Sequence, residues 1–596
     1  MALRAAWATH WSRVLLFLLV LGLVFVPDRW LRVPPPPASG AVATAAKPAP
    51  PKSGPLPALP VVDDDAAAAR FLAQATFGPT WEDMARVERL GYSGWIDEQV
   101  ALPMSSQLRF LNAASAVSGG EMRREWRMDA WFLHAIGGRD PFDPQLMHRD
   151  QLRQRVAFAL SEIFVLSDAN SDLLGNAPHG VTDYYDTLAR GAFGNFRKLL
   201  EDVTLHPAMG IYLSMMQNQK PDPARNIRPD ENYAREVLQL FSVGLVRLNP
   251  DGSPILENGA KVPTYGQETV KGFAHVFTGW TFNGCGQFDC YFYDSDAPAW
   301  VRPMQNHAAY HASAQAKQLL VYPGVALPGG VLPAGGDGPS DLRAALDNIF
   351  YHPNVGPYIG RQLIQRLVTS NPSPSYVARV AARFNDNGHG VRGDMKAVVT
   401  AVLLDPEARE AAYRPANFGK VREPLLRLTH VWRAMKARSQ SGFMDEFWTI
   451  GYGMGQAPLS SPSVFNFFSP SYSPIGEPAQ LGLAAPELQL ATDFMLPGTE
   501  GYLGAKIYEV YVGAPDLDEH EVAIDLTDEL PYAVRPADLI QRYNTLFLSG
   551  QMSARMRNVL LQRLNGMPAD SEEERRARVQ EALYIIVNSP EYVVQK

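Results

Sequence analysis

Arg228-Pro-Asp-Glu-Asn-Tyr-Ala-Arg-Glu-Val-Leu-Gln-Leu-Phe-Ser-Val-Gly244 is the stretch that decides the fold. At 100° per residue, Tyr233, Ala234, Val237, Leu238, Leu240, Phe241 and Leu245 cover a wide apolar arc. Asn232, Arg235, Glu236, Gln239 and Ser242 line the narrow polar strip that is left. An arc that wide predicts a helix lying mostly inside the protein. Taking Arg235 and Glu236 out of water is costly unless each is paired, so the strip faces either a buried polar network or a cleft. Glu231 and Arg235, like Asn232 and Glu236, stand four residues apart and can meet along one face.

Helical periodicity continues in both directions. Upstream it covers 66–76, 80–89, 121–136, 144–166 and 182–192, then 196–217 with a break at His206-Pro207, where proline ends or kinks a helix. Downstream, Leu245–Leu248 and the turns at 249–252 and 258–259 predict a small hairpin set, and Thr264-Tyr-Gly-Gln267 a capping box. Helices follow at 341–351, 355–369, 374–385, 392–404, 420–437, 536–549, 553–564 and 571–588, the last with a Ser571-Glu-Glu-Glu574 box. Residues 498–535 read as irregular with some strand character. The expected fold class is mainly α, one large multi-helix globular body with a few short β-hairpins.

That body is expected over 63–596, behind an amino-terminal signal or membrane anchor (1–32) and a Pro/Ala-rich disordered linker (33–62). Arg4 and Arg13 precede the apolar run Val14–Val26, the order of an export signal. The run is short for a bilayer span, though Trp11 and Trp30 could sit at the interfaces. An uncleaved single-pass anchor and a removed signal peptide both fit. Either way the expectation is an exported protein, periplasmic or on the outer face of the envelope and membrane-associated through this segment. Pro34–Pro37, Pro48, Pro50, Pro51, Pro55, Pro57 and Pro60 make the linker extended. Cys285 and Cys290, the only cysteines, are most simply a disulfide in such a protein.

Of 596 residues, 46% are hydrophobic and 19% charged, with net charge −8 and no basic cluster, which argues against nucleic acid as a partner. No phosphate loop, nucleophile elbow, His-Glu-x-x-His or Cys-x-x-Cys motif occurs, and no cofactor is called for. Candidate chemistry rests on isolated side chains. Glu231 and Glu236 are candidate acids or bases with Arg235 beside them, or else members of a structural network. His307 and His311 have a spacing that could present two imidazoles to a metal on one helix face, but ordinary surface histidines have the same spacing. A third donor would be needed; Asp294, Asp296, Glu236 and His275 are the only suggestions. Lys317 falls in an expected helix, lining a site or simply solvated. His206, His275 and Trp280 sit among apolar neighbours, as structural residues or as binding groups. Arg361, Arg366, Arg422 and Glu423 put charge into apolar helices, as a buried ionic network or a cleft wall. Phe465, Phe467 and Tyr472, in the aromatic, Ser/Pro-rich loop Ser460–Pro474, could stack on a sugar ring or partner surface, or plug the core.

Several segments together resemble the bacterial family called domain of unknown function 1800. They are Ala69-Arg-Phe-Leu-Ala-Gln-Ala-Thr-Phe-Gly-Pro-Thr80, Glu231-Asn-Tyr-Ala-Arg-Glu236, Phe277-Thr-Gly-Trp280 and Gln362-Leu-Ile-Gln-Arg-Leu-Val-Thr-Ser-Asn-Pro372. Asn385-Asp-Asn-Gly388, Val391-Arg-Gly-Asp394, Arg422-Glu-Pro424 and Ser463-Val-Phe-Asn-Phe467 follow in the same order. The resemblance implies an exported helical protein, often encoded beside a second exported protein similar to the alkaline phosphatase and sulfatase superfamily, which is the partner it suggests. It brings no established activity or catalytic residue. The leading expectation is an envelope protein that binds a partner protein or surface polymer. The alternative is a hydrolase or lyase acting on an envelope polymer with Glu236 as acid or base, and a metal-dependent form using His307 and His311 ranks third.

Overall fold

Proline divides the chain at His206-Pro207. The helices Phe196–Leu205 and Pro207–Tyr212 meet there, because Pro207 has no N–H for the first helix and its fixed φ suits the first position of the second. His206, in extended backbone, accepts the Ala208 N–H through Nδ1 at 3.2 Å and so caps the second helix. In the computed structural model, Val62 and residues 64–169, 171–290 and 298–596 are described, and all fall within one compact unit. About 52% of the described residues are helical, in 24 α-helices and a few short 3-10 turns. The expected amino-terminal segment and linker, with Asp63, Asp294 and Asp296, lie outside the described residues apart from Val62. No described helix is long and apolar enough to cross a membrane.

Local sequence accounts for most boundaries. Asp64 caps the helix Asp65–Ala75 by accepting the Ala67 N–H at 2.7 Å. Trp81–Ala101 is bent at Gly91, whose φ of 69° suits glycine, at the residue where the periodicity stops. Pro374–Asn385 has the expected ends, and the Ser571–Glu574 capping box opens the helix Glu572–Val587. In Gln151–Ser161 the stripe Leu152, Val156, Ala159 and Leu160 is fully buried. Each such leucine or valine contributes about 1.5–3 kcal/mol of burial.

Strands are confined to four antiparallel pairs. Leu256–Glu257 joins Ala260–Lys261, Trp280–Thr281 joins Gln305–Asn306, Lys317–Gln318 joins Val331–Leu332, and Lys420–Val421 joins Val594–Gln595. The last pair fastens the carboxyl end against the segment that carries Arg422 and Glu423.

Several expectations are corrected here. Leu245–Leu248 makes isolated bridges rather than a strand, through Val246 to Pro263 and Leu248 to Pro254. The Thr264–Gln267 capping box does not form; Gly266 is the N-cap of Gln267–Val276, with no side-chain hydrogen bond. Lys317 is in a strand, not a helix, because Gly272 lets the helix Gln267–Val276 lie directly on it. A Cβ at Gly272 would stand 1.9 Å from the Gln318 carbonyl oxygen. His307 and His311 flank a single 3-10 turn, Ala308–Tyr310, and do not share an α-helix face. Residues 498–508, expected to be irregular, instead belong to the helix Met495–Tyr508. Its Pro497 and three glycines hide it from propensity, and burial of Thr499, Leu503 and Ile507 holds it. The helix Gln107–Val117, capped by Ser106, was not anticipated.

Candidate functional site

The helix Asn232–Gln239 is shorter than its apolar arc suggested. It ends at Gln239, and a few residues on Gly244, at φ 73°, turns the chain back and donates its N–H to the Leu238 carbonyl at 2.9 Å. A Cβ at Gly244 would press on the Tyr358 ring at 2.8 Å. The polar strip splits in two. Arg235 pairs with Glu231, and Gln267 joins them, donating to both Glu231 oxygens at 3.0 and 2.9 Å and accepting from Arg235 at 3.0 Å. This cluster is on the surface. Asn232 takes its place in the first turn, its N–H donated to Asp230 Oδ1 at 2.7 Å, and the Gln239 carbonyl accepts from the Tyr358 hydroxyl at 2.8 Å.

Glu236 points the other way. It is 8% exposed, and its Oε2 has no hydrogen-bond partner among the described residues. Burial raises its carboxyl pKa, opposed by the Arg235 charge, and its own charge is felt by the Tyr212, Tyr265 and Tyr358 phenols. A carboxyl group that stays protonated more readily than usual, beside three phenols, could donate or accept a proton.

A second grouping gathers around Asp341. His311 Nε2 and Lys317 Nζ both reach its Oδ2, at 3.1 and 2.7 Å, and all three side chains are buried. His311 Nδ1 lies 3.1 Å from the Thr278 carbonyl. His311 and Lys317 are therefore a buried, paired set, not solvated surface groups. His307 is half-buried with Nε2 3.2 Å from Gln305 Nε2. No group of three or more His, Cys, Asp or Glu among the described residues has metal-holding geometry. Half-buried His275 has its pKa lowered by burial first and then by Lys317 and Lys271. Trp280 is buried in its strand. His206 is buried with Nε2 3.3 Å from Asp183 Oδ2. Cys285 and Cys290 form a disulfide.

Three of the segments that carry the family resemblance, those with Arg366, Glu423 and Asn466, meet elsewhere, on a buried ionic centre. Arg155 and Glu162 come from the helix Gln151–Ser161 and its end, Arg366 from Val355–Leu367, and Lys420 and Glu423 from the approach to Pro424–Ala434. Arg155 Nη2 and Lys420 Nζ both donate to the Arg366 carbonyl, at 2.7 and 2.8 Å. Arg366 Nη2 donates to the Glu162 carbonyl at 2.7 Å, and its Nε is 3.7 Å from Glu162 Oε2. Lys420 also pairs with Glu487 at 3.0 Å, and Gln456 donates to Glu423 at 2.6 Å. Asn466 Nδ2, in left-handed backbone at φ 67°, reaches Glu162 Oε1 at 3.5 Å. Burial raises the Glu162 pKa well above the usual range, and the neighbouring Glu423 carboxyl adds to it through its charge and a hydrogen bond. Arg422 does not face this centre; its guanidinium lies over the Tyr592 ring at 4.6 Å and donates to the Tyr592 carbonyl. Nothing in the sequence around Glu162, Gln456 or Glu487 marks them as members; only the convergence of distant segments does.

In the 460–474 loop, Phe465 is 55% exposed while Phe467 and Tyr472 are half-buried. A serine–histidine–carboxylate grouping occurs at Ser105, which donates its hydroxyl proton to Asp150 Oδ1 at 2.5 Å. His148 Nδ1 is 2.9 Å from the same hydroxyl, and its Nε2 is 3.7 Å from Asp140. With the serine hydroxyl proton directed at Asp150, its oxygen is left to accept from the imidazole, the reverse of nucleophile activation. A cleft of about 740 Å³ lies apart, along Arg379, Arg383, Asp386, His389, Asp394 and Asp405. Arg379 and Asp405 close on each other there through two hydrogen bonds of 2.7 Å.

Fold and sites together define an all-α protein with a disulfide-closed loop and a sealed ionic core. The family described as Protein of unknown function (DUF1800) matches residues 70–594, and the chain belongs to that family. No curated protein and no solved structure matches it.

Proposed function

We propose that the protein works outside the cytoplasm, tethered through its amino-terminal segment, and that its helical body docks a partner protein. The observation that carries this reading is a concentration of exposed apolar side chains. Trp448 (62% exposed), Tyr452 (82%), Phe494 (74%) and Leu496 stand on or beside the packed helices Ile450–Met454 and Met495–Tyr508. Gly455 brings the two together, since a Cβ there would meet Met495 Sδ at 2.5 Å. Exposed Phe465, Ile475 and Leu481 lie in the intervening chain. Large apolar groups gathered in one region of a surface are characteristic of interaction sites, and Trp and Tyr are the favoured anchors. The disulfide supports an oxidising compartment.

Site-specific photo-crosslinking in living cells tests this. A photoreactive residue at Tyr452 is expected to give one discrete adduct, and the same residue at exposed Val559 none. Loss of the Tyr452 adduct on Trp448→Ser and Phe494→Ser, with unchanged helicity, would place the contact on this face. Equal labelling at both positions, or none at Tyr452, rejects the reading. A polydisperse, protease-resistant product would point to a surface polymer instead. An exported protein similar to alkaline phosphatases and sulfatases is the first partner to test by mass.

The second reading, an acid–base role for Glu236 on an envelope polymer, is favoured by its raised pKa and its unpartnered oxygen.

A further inference from the structure

Three arginines come close to one another with none of them ion-paired. Arg70 is on the helix Asp65–Ala75, Arg409 ends the short helix Pro406–Arg409, and Arg414 follows the 3-10 turn Ala411–Tyr413. Arg409 is the deepest, 9% exposed, its guanidinium over the rings of Phe71 at 5.2 Å and Tyr92 at 5.6 Å. Arg70 and Arg414 are half-buried and give the group its way out to solvent. Arg414 Nη2 donates to the Ala408 and Arg409 carbonyls, both at 3.1 Å, which folds it back over the short helix.

None of the three makes an ion pair among the described residues. Arg70 Nε, Arg409 Nε and Nη2, and Arg414 Nε are buried with no hydrogen-bond partner. Three nearby carboxylates are engaged elsewhere: Asp64 caps its helix, Asp405 pairs with Arg379, and Glu407 accepts from Ser373. Glu410, at the short helix's end, lines the 740 Å³ cleft and makes no ion pair with the three arginines. Opposite charge reaches the cluster only weakly, from Asp64 at Arg70 and from Asp405, already paired with Arg379, at Arg409, while Tyr92 gives Arg409 a hydrogen bond and Tyr376 acts on it through its phenol. Burial, and after it the other guanidiniums, push Arg414 down to about 10; Arg409 is likewise brought to about 10, by burial first.

Three cations held together at the edge of a low-dielectric interior repel one another, and each orphaned N–H there is destabilising. A doubly charged oxyanion removes both penalties, because guanidinium N–H pairs match its oxygens in direction and charge. We propose that Arg70, Arg409 and Arg414 form a binding site for a phosphate- or sulfate-type oxyanion, carried by a soluble ester or by a lipid headgroup. The site is independent of the apolar face described above.

Thermal unfolding of the detergent-purified full chain tests it, in sodium phosphate or sodium sulfate against sodium chloride at matched ionic strength. The wild-type midpoint is expected to rise with phosphate or sulfate, since a ligand bound only to the folded state stabilises it. In Arg70→Gln and Arg414→Gln the apparent affinity should fall at least about tenfold. In chloride alone these variants should melt no lower than wild type, because a repelling charge has gone; a purely structural arginine would lower the midpoint. An absent anion response, or one undiminished in both variants, overturns the proposal. Once the response is seen, vesicles assign its source. A wild-type advantage over Arg414→Gln on phosphatidylcholine–phosphatidylglycerol vesicles that vanishes on phosphatidylcholine alone identifies a lipid headgroup. Equal binding of both proteins identifies a soluble ester.

Discussion

Glu236 and Arg235 are neighbours in sequence with opposite fates. A turn of 100° sends the guanidinium out to Glu231 and Gln267 and the carboxyl in toward three tyrosines. That both belong to a polar strip is legible from spacing; which faces water is not, because it depends on where Gln267–Val276 and Tyr358 come to lie. The consequence for pH is directional. Burial puts the folded-state pKa of Glu236 above its unfolded value, so as pH rises the unfolded chain ionises first. The contribution to stability is complete below the ordinary glutamate range and is lost as pH rises through the folded value. Glu236→Gln cannot ionise, and should be more stable than wild type at about pH 8 and indistinguishable near pH 4. Urea unfolding at the two values measures this; a variant weaker at both would mean that the carboxylate form is held by a partner. An acid–base role would require the same variant, folded, to lose its activity in the cell.

At the scale of elements, caps and prolines carry the local code. Ser571 accepts the Glu574 N–H, and the Glu574 side chain accepts the Ser571 N–H at 2.9 Å. Ser571→Ala should cost about 1 kcal/mol, as loss of a helix N-cap does elsewhere. Denaturant midpoints check it, and Ser571→Asp should restore most of the loss. Such signals are readable because every donor and acceptor lies within a few residues. Lys317 shows the opposite case. Its segment became a strand because the absent side chain of Gly272 lets a helix settle on it, with Asp341 waiting below. Met495–Tyr508 is helical against its own glycines because its buried face packs on other helices. Local propensity sees neither event.

On the scale of the whole molecule, the ionic centre ties segments that are hundreds of residues apart. Arg366 is its hub, with Arg155 and Lys420 on its carbonyl and Glu162 under its guanidinium. Arg366→Met leaves the fully buried Glu162–Glu423 pair without its nearest cation and should cost about 3–5 kcal/mol. Guanidinium unfolding followed by both fluorescence and circular dichroism reads the loss, which should appear as one shared displacement. A shift under about 1 kcal/mol would show that the pair is neutral without Arg366.

Arg366 and Glu423 stood out in the sequence as charges within apolar helices, and either a network or a cleft wall fitted them. Closure around Glu162, Glu487 and Asn466 made them a network. Periodicity, proline, capping residues and a cysteine pair were enough to determine a helical body, most of its breaks and its disulfide, since those depend on contacts within a few turns of chain. The enclosure of Glu236, the pairing of Lys317 with Asp341, the ionic centre and the unpaired arginines were decided by tertiary structure alone. The cost of a buried charge depends on what surrounds it in space, and those neighbours come from segments whose approach no local pattern encodes.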